Sequence, residues 1–372
     1  MKKIFTVLLF FIPSILFTQI DSLKGNIKSI REKLIFLDST KQNIKLFSTE
    51  GDYGHYGFSS PEFTINRFNS AWYHTTWVHY INYLRNYDSA KNLLNESWFY
   101  KNDDILEKLN YEYDERNNLI RQKAMYEDAT FFVKSYYYND SNLLLTTMEY
   151  STYKPINYDF TTYLYNENKK LIEEKYFYQY GEGNGLKYVY TNTGKLKEKI
   201  MHTPYIWLSN GGKSTIQKWD VIGNDQLREE YIYDSTDKLI KIKYYLNDYN
   251  NQNKAALHRV VAYRYNNHNL KIGEYYTSAG DTVGAFRTYE YNKDKLIKKE
   301  RFISAKNNSL LTEIEYLYDK NKNIVRVLYT GAGKTSAITY NYKFDINDNW
   351  IEQLKTIDGK QLYLRKRELV YY

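Results

Sequence analysis

A short aromatic motif recurs along most of the chain and constrains its fold more than any other feature of the sequence. In most copies two aromatic residues flank one other residue, an Asp or Asn follows at once, and a Leu or Ile comes about six residues after the second aromatic. Ten copies align at a period of about 26 residues, with insertions near 201–219 and 244–259. The second aromatics are Tyr87, Tyr113, Tyr138, Tyr165, Tyr190, Tyr233, Tyr265, Tyr291, Tyr318 and Phe344.

Each copy reads as a β-hairpin. The two aromatics share one face of a strand because side chains alternate with period two. The Asp or Asn begins a turn, since its side chain can bond the backbone two residues on. A residue that tolerates positive φ follows within the turn, and the Leu or Ile then starts the return strand. The expected positive-φ residues are Asn117, Gly194, Asp237, Asp294 and Asp348.

These hairpins predict an all-β fold of tandem antiparallel β-hairpin repeats, with on the order of twenty strands. We expect them to form one long curled meander sheet or an open spiral, because nothing in the repeat demands closure. Residues 81–372 form the repeat array, and 20–80 are expected to be an N-terminal β segment that caps it. Leu23 to Leu37 lacks a clear helical period and is expected to form a strand.

The pattern resembles the YD repeat of Rhs-type and teneurin-type proteins, most closely over Tyr111–Ile120, Tyr188–Leu196 and Tyr231–Ile240. The resemblance covers about residues 80–350 and implies a β-hairpin array at an extracellular or envelope location. It also implies carbohydrate or cell-surface binding, which has been proposed for such repeats. The chain departs from the family in its turns, where Asn, Asp or Lys mostly replaces glycine, and it lacks a toxin-like C-terminal domain. It looks like an orphan secreted form of the kind found in Bacteroidetes-type bacteria.

The N-terminus indicates export. Lys2 and Lys3 precede an apolar run from Ile4 to Phe17, as in a secretory signal peptide, so residues 1–19 are expected to be removed. We therefore predict a secreted, periplasmic or cell-surface protein with no membrane-spanning segment after cleavage. The 372 residues include no cysteine, which excludes disulfides and thiolate metal sites. A formal net charge of +8 with both signs interspersed does not indicate a nucleic-acid partner.

No catalytic or cofactor motif is present, so the predicted function is a non-catalytic binding or scaffold module for glycan or protein ligands. We expect no cofactor, no metal site and no enzyme activity. The Tyr ladders are expected to pack the inner face of the sheet. Aromatic residues in irregular segments are the candidate ligand-binding residues, and they are Tyr53, Tyr56, Trp72, Tyr205 and Trp207.

Two alternatives remain open. A glycan-active enzyme would need two inward carboxylates across one groove. An outer-membrane β-barrel would fit twenty-odd strands and the C-terminal Tyr372, but its lipid-facing surface needs an apolar row on every strand. Glu173 and Lys175 on one face, and Glu174 on the other, argue against such rows, as does the charged stretch Arg365–Glu368.

Overall fold

The fold is taken from a computed structural model. It describes twelve stretches of the chain, namely residues 23–37, 82–99, 103–126, 129–152, 157–178, 181–202, 205–210, 213–218, 225–247, 255–279, 284–331 and 333–372. Within these stretches, no helix is long and apolar enough to cross a membrane.

Twenty-four β-strands make up the described fold. They are β1 (Ile27–Phe36), β2 (Asn82–Tyr87), β3 (Leu93–Phe99), β4 (Ile105–Tyr113), β5 (Leu119–Tyr126), β6 (Phe131–Tyr138), β7 (Leu144–Ser151), β8 (Asn157–Tyr165), β9 (Leu171–Tyr178), β10 (Gly181–Tyr190), β11 (Leu196–His202), β12 (Tyr205–Asn210), β13 (Lys213–Lys218), β14 (Asp225–Tyr233), β15 (Leu239–Asn247), β16 (Ala255–Tyr265), β17 (Lys271–Ser278), β18 (Ala285–Tyr291), β19 (Ile297–Ser304), β20 (Leu310–Tyr318), β21 (Ile324–Gly331), β22 (Lys334–Phe344), β23 (Trp350–Ile357) and β24 (Lys360–Tyr371).

Twenty-two of these strands form one closed antiparallel barrel. Each pairs with its neighbours in chain order, and β11 continues directly to β14. The strand β1 closes the ring, because it pairs with β2 on one side and with β24 on the other. The expected open meander or spiral is therefore wrong. Closure gives both end strands a partner and leaves the sheet no free edge, which an open sheet would expose. Strands β12 and β13 pair with each other as a separate two-stranded sheet.

The repeat unit is present in every predicted copy as a hairpin with a β-bulge. Tyr113 lies opposite Leu119, whereas Glu112 lies opposite Arg121, so Ile120 is the extra residue. The same register shift occurs at all ten second aromatics. A bulge increases local twist and bends the strand, which promotes the curling that closes a barrel.

The ten turns share one backbone conformation. The fourth residue after the second aromatic has positive φ in every copy, with Asn117 at 61° and Gly194 at 79°. The predicted position is therefore confirmed for Asn117, Gly194, Asp237 and Asp348. It is wrong for Asp294, because Lys295 takes the positive φ there. The full set is Lys91, Asn117, Asn142, Lys169, Gly194, Asp237, Asn269, Lys295, Lys322 and Asp348.

Carboxylates and amides hold these turns as the sequence predicts. In the turn 114–118, Asp114 Oδ1 accepts hydrogen bonds from the backbone N–H groups of Arg116 and Asn118, at 2.9 and 2.8 Å. Asn166, Asp234, Asn266, Asn292, Asp319 and Asp345 make the equivalent pair of bonds. Hydrogen bonds of the Asn118 side chain and backbone to Asp114 lower the pKa of that carboxyl below its ordinary value.

The second tyrosine of a repeat unit donates a hydrogen bond to the preceding unit. The ladder between β3 and β4 ends at Asn95 opposite Asn110, so the Leu93 carbonyl lies beyond the last paired residue. The Tyr113 hydroxyl donates a hydrogen bond to this carbonyl at 3.0 Å. Tyr138, Tyr190, Tyr233, Tyr265, Tyr291 and Tyr318 make the same contact, so the repeated tyrosine satisfies a backbone acceptor at the frayed end of each ladder.

The two rims of the barrel differ. All ten repeat turns lie on one end, here called the turn rim, and each spans five residues, as in 114–118. Both ends of the described chain lie there too, because Lys24 N donates to Asn349 Oδ1 at 2.8 Å and Tyr372 N donates to the Asn26 carbonyl at 3.0 Å. The opposite end, here called the distal rim, carries the two longest connections, from β1 to β2 and from β11 to β14, together with short ones such as 305–309 and 358–359.

The expected strand over Leu23 to Leu37 is confirmed as β1. It lies within the barrel wall, between β2 and β24. The predicted signal peptide, 1–19, lies outside the described residues, as does most of the predicted segment 20–80. The division into signal peptide, N-terminal segment and repeat array stays a prediction.

The turn carboxylates predict how stability depends on pH. The pKa values of Asp114 and Asp234 are lowered by hydrogen bonds within their turns, first from the Asn118 and Thr236 side chains. A lowered folded-state pKa stabilises the fold above the unfolded value of about 3.9, and this contribution disappears as the pH falls further. We expect the double variant D114N/D234N to lose less free energy of unfolding than the wild type between pH 5 and pH 3.

Asparagine is a matched replacement, because Asn139, Asn166, Asn266 and Asn292 occupy the equivalent position in other copies. Urea unfolding at a series of pH values measures the effect. Identical pH profiles for the two proteins would contradict the assigned role of these carboxylates.

Candidate functional site

One face of the closed sheet carries most of the buried side chains in the described residues. Ile30, Tyr83, Leu109, Val327 and Tyr363 are each less than 5% exposed and lie on this face. In a closed barrel the buried face points inward, so it is the lumen face. Tyr289 and Tyr316, which are first aromatics of the repeat, are also buried here, as is Tyr340 of β22. The prediction that the Tyr ladders pack an inner face agrees with this burial.

A buried carboxylate joins the strands that close the ring. Glu32 of β1 is fully buried and accepts hydrogen bonds from two arginines of β24. Arg365 donates from Nε at 3.0 Å and from Nη2 at 2.6 Å, and Arg367 donates from Nε at 3.1 Å and from Nη2 at 3.0 Å. The Tyr83 hydroxyl of β2 donates at 2.9 Å. One carboxylate therefore links both partners of β1.

We call the pairing of β1 with β24 the seam. The two seam arginines, Arg365 and Arg367, make further contacts that offset the cost of burying their charges. The Trp350 ring lies 3.6 Å from Arg367 Cζ and 4.7 Å from Arg365 Cζ, within cation–π range. Arg365 Nη1 also donates to Gln353 Oε1 at 2.8 Å. A buried ion pair is tolerated when additional hydrogen bonds satisfy its remaining groups, as they do here.

The link between tyrosine and carboxylate repeats around the lumen. The first tyrosine of a unit donates to a glutamate on the preceding strand. Tyr188 reaches Glu174 at 2.8 Å, Tyr289 reaches Glu274 at 2.9 Å, and Tyr316 reaches Glu300 at 3.0 Å. The lumen face is therefore polar as well as aromatic, as is usual for the interior of membrane barrels.

Two inward carboxylates face each other on β7 and β8. Glu149 lies directly opposite Asp159, and Lys134 of β6 binds Glu149 at 2.5 Å. The enzyme alternative requires a pair across a groove, whereas these two residues are neighbours on one wall. In the described part of the chain no group of three or more His, Asp or Glu side chains could hold a metal. The absence of enzyme activity stays a prediction.

The outward face divides into two halves. Towards the turn rim it carries charged residues that pair with one another. Lys299 binds Glu315 at 2.5 Å, and Arg301 binds both Glu290 and Glu313 at 2.6 Å. On sequence grounds the charged stretch Arg365–Glu368 argued against a barrel. Only Lys366 and Glu368 of this stretch face outward, because Arg365 and Arg367 point into the lumen.

Towards the distal rim the outward face becomes apolar on eleven of the twenty-two strands, and we call this zone the distal belt. Elsewhere near this rim it is charged, as where Lys187 of β10 binds Asp225 of β14 at 2.6 Å. Aromatic rings contact one another along it, as between Phe160 and Phe177, whose centroids are 4.5 Å apart, and between Tyr275 and Phe286, at 5.6 Å. Several members are at least 40% exposed, including Tyr158, Phe160 and Leu310. The belt contains Met125, Phe131, Tyr150, Tyr158, Phe160, Phe177, Tyr275, Phe286, Ile303, Leu310, Leu354 and Leu364.

Two of the five candidate ligand-binding residues lie in the described part of the chain. Tyr53, Tyr56 and Trp72 lie outside the described residues. Tyr205 and Trp207 lie in β12, opposite Lys218 and Ile216 of β13. This two-stranded sheet is separate from the barrel sheet, and the role of Tyr205 and Trp207 in ligand binding stays a prediction. The seam residues Glu32, Arg365 and Arg367 were missed, because nothing local marks partners more than 300 positions apart.

Comparison with known proteins gives matches in structure alone. No family model matches the chain, and no curated protein matches it in sequence. A porin-like protein from Bacteroides uniformis is 12% identical, with 71% of this chain and 96% of that chain covered and a TM-score of 0.28. A porin-like protein from Bacteroides vulgatus is 13% identical, with coverages of 73% and 95% and a TM-score of 0.22.

A chain of the Photorhabdus luminescens Tc holotoxin pore is 8% identical, with 77% of this chain covered and a TM-score of 0.18. The match spans about a quarter of that chain, 26%. At these identities and TM-scores the similarities do not bear on function.

Closure overturns one predicted property of the mature protein. We expected no membrane-spanning segment after signal cleavage, because the remaining segments are not apolar enough for a membrane helix and charges on both strand faces argued against a barrel. A closed antiparallel barrel can cross a bilayer by its strands, because every backbone group in the wall is paired with a neighbour. The expectation is therefore wrong for this fold.

The seam gives a direct test of what holds the ring closed. We expect Glu32→Gln to lower the free energy of unfolding by roughly 3–5 kcal/mol, because it leaves buried arginines without their counter-charge. Glu368→Gln is the matched control, since Glu368 is exposed on the outward face of the same seam, opposite Arg31. The control should change stability by less than about 1 kcal/mol. Equal effects in urea unfolding would show that the buried carboxylate has no special role.

Proposed function

We propose that this protein is an outer-membrane β-barrel of a bacterial cell envelope. The observation that carries the proposal is the ring of 22 antiparallel strands with different rims. An even strand number and long connections confined to one side are typical of outer-membrane barrels. Here the two long connections, β1 to β2 and β11 to β14, both lie on the distal rim. Both described ends of the chain lie on the turn rim. By that pattern the turn rim faces the periplasm and the distal rim faces the cell exterior.

The two halves of the outward face support a position in the membrane. The distal belt supplies exposed aromatic and aliphatic side chains of the kind that contact hydrocarbon and interface. The paired charges around Lys299 and Arg301 lie nearer the turn rim. An outward charge costs about 2–4 kcal/mol at the bilayer midplane and about 0–1 kcal/mol near an interface. We infer that the belt lies in the hydrocarbon and the charged half lies at its periplasmic boundary.

The predicted export signal agrees with this location, since an outer-membrane protein must first leave the cytoplasm. Membership of the YD-repeat family is part of the same proposal. The ten turns of one backbone conformation support it, together with the recurring tyrosine-to-carbonyl hydrogen bond.

A second candidate function is favoured by the charged half of the outward face. The ion pairs at Lys299, Arg301 and Lys343 would be well solvated on a barrel that stays in the periplasm or at the cell surface. Such a barrel would act as the binding or scaffold module expected from the sequence, with a glycan or a protein as ligand. Unlike a membrane barrel, such a protein would be recovered in the soluble fraction without detergent.

Fractionation separates the two candidates. The full chain, expressed with its own N-terminus in a Gram-negative host, should sediment with outer membranes and resist extraction by alkaline carbonate and urea. Nonionic detergent should release it. Recovery in the soluble periplasmic or culture fraction, without detergent, would contradict the membrane proposal and favour the solvated module.

A further inference from the structure

An apolar groove opens on the outward face beside the closing seam. It crosses strands β22, β23 and β24 and has a volume of about 460 Å³, within the range of small-molecule sites. Leu354 and Leu364 lie directly opposite each other in it, and Leu37, which is 41% exposed, also lines it. Lys343 and Glu352 line it as well.

A basic row borders the groove on the side of the turn rim. Glu352 binds Lys343 at 2.6 Å and Lys366 at 3.7 Å. Lys33 of β1 lies directly opposite Lys366 and binds Asp103 at 2.6 Å. Lys343 and Lys366 remain 72% and 50% exposed although they share one carboxylate. Their donors are therefore open to a further anionic group.

The wider neighbourhood keeps an excess of positive charge. Arg31, one row nearer the turn rim, shares Asp103 with Lys33 and lies opposite Glu368. The basic row and the adjacent row of Arg31 and Glu368 together contain four cationic side chains and three carboxylates. The cations are Lys33, Lys343, Lys366 and Arg31, and the carboxylates are Glu352, Glu368 and Asp103. An anionic group at this position would meet a favourable field.

We propose that the groove binds a phospholipid, with an acyl chain along Leu354 and Leu364 and its phosphate at Lys343 and Lys366. The inference rests on the proposed membrane location and names a lipid site on that same outward surface. The polarity matches the inferred orientation. On β22 and β23 the basic row lies near the turn rim, since Lys343 and Glu352 are within three residues of the turn 345–349, and the apolar groove leads into the distal belt. The lipid therefore belongs to the periplasmic leaflet.

The test uses the full-length protein extracted in nonionic detergent, with phosphatidylglycerol as the probe and native mass spectrometry as the readout. The variant K343Q/K366Q removes the charges that would bind the phosphate, and L364W fills the groove. K343Q/K366Q should weaken lipid binding by roughly thirtyfold, because two interfacial lysines contribute about 1 kcal/mol each. L364W should also weaken lipid binding, because the indole ring would occupy the space of the acyl chain. The control K241Q/K243Q removes an outward pair on β15, where Lys243 binds Glu230 at 2.9 Å, and should bind lipid like the wild type.

The outcomes separate the lipid site from the membrane proposal. All four proteins should first show equal resistance to carbonate extraction and equal urea midpoints. Membrane-integrated variants that bind phosphatidylglycerol as tightly as the control would overturn the lipid site alone. Loss in K343Q/K366Q with normal binding by L364W, together with full competition by inorganic phosphate, would reduce the site to a phosphate contact and overturn the acyl-chain assignment. Wild-type protein recovered without detergent would overturn both proposals.

Discussion

The pairing of β1 with both β2 and β24 is the constraint on which the rest of this structure depends. It turns an array of similar hairpins into a ring, and Glu32 secures it by binding Arg365, Arg367 and Tyr83 in the buried lumen face. Without that pairing the first and last strands would be exposed edges. The barrel has a lumen and an outer surface only because the ring is closed.

The repeating unit could be predicted from sequence because its determinants are local. Two aromatics one residue apart, a carboxylate or amide, and a positive-φ position all lie within a few residues, so hairpin and turn follow from elementary geometry. Asp294 was misassigned by one position because Asp and Lys both occur near the turn, and only the common offset from the second aromatic identifies Lys295. The period-two pattern also fails at each bulge. Strict alternation would place Leu171 and Glu173 on one face of β9, but the extra residue between them places them on opposite faces.

Closure could not be predicted by the same means. Glu32 and Arg365 are separated by more than 300 residues, and each looks like an ordinary charged residue in its own strand. Alternating charge on both faces suggested a solvated sheet. The lumen-facing charges instead bind tyrosines and one another, and outward ion pairs such as those of Lys299 and Arg301 lie towards the turn rim. The functional consequence is an amphipathic outer surface, with an apolar belt towards the distal rim and a charged zone towards the turn rim.

Cross-linking across the seam tests the central claim, a closed barrel in the membrane, most directly. The chain has no cysteine, so S29C/V370C introduces a unique pair at directly opposite outward positions of β1 and β24. T339C/T356C, an opposite pair on the consecutive strands β22 and β23, is the positive control. The account predicts that both pairs form an intramolecular disulfide on oxidation of intact outer membranes. A disulfide in the control with none across the seam would contradict closure and restore the open sheet.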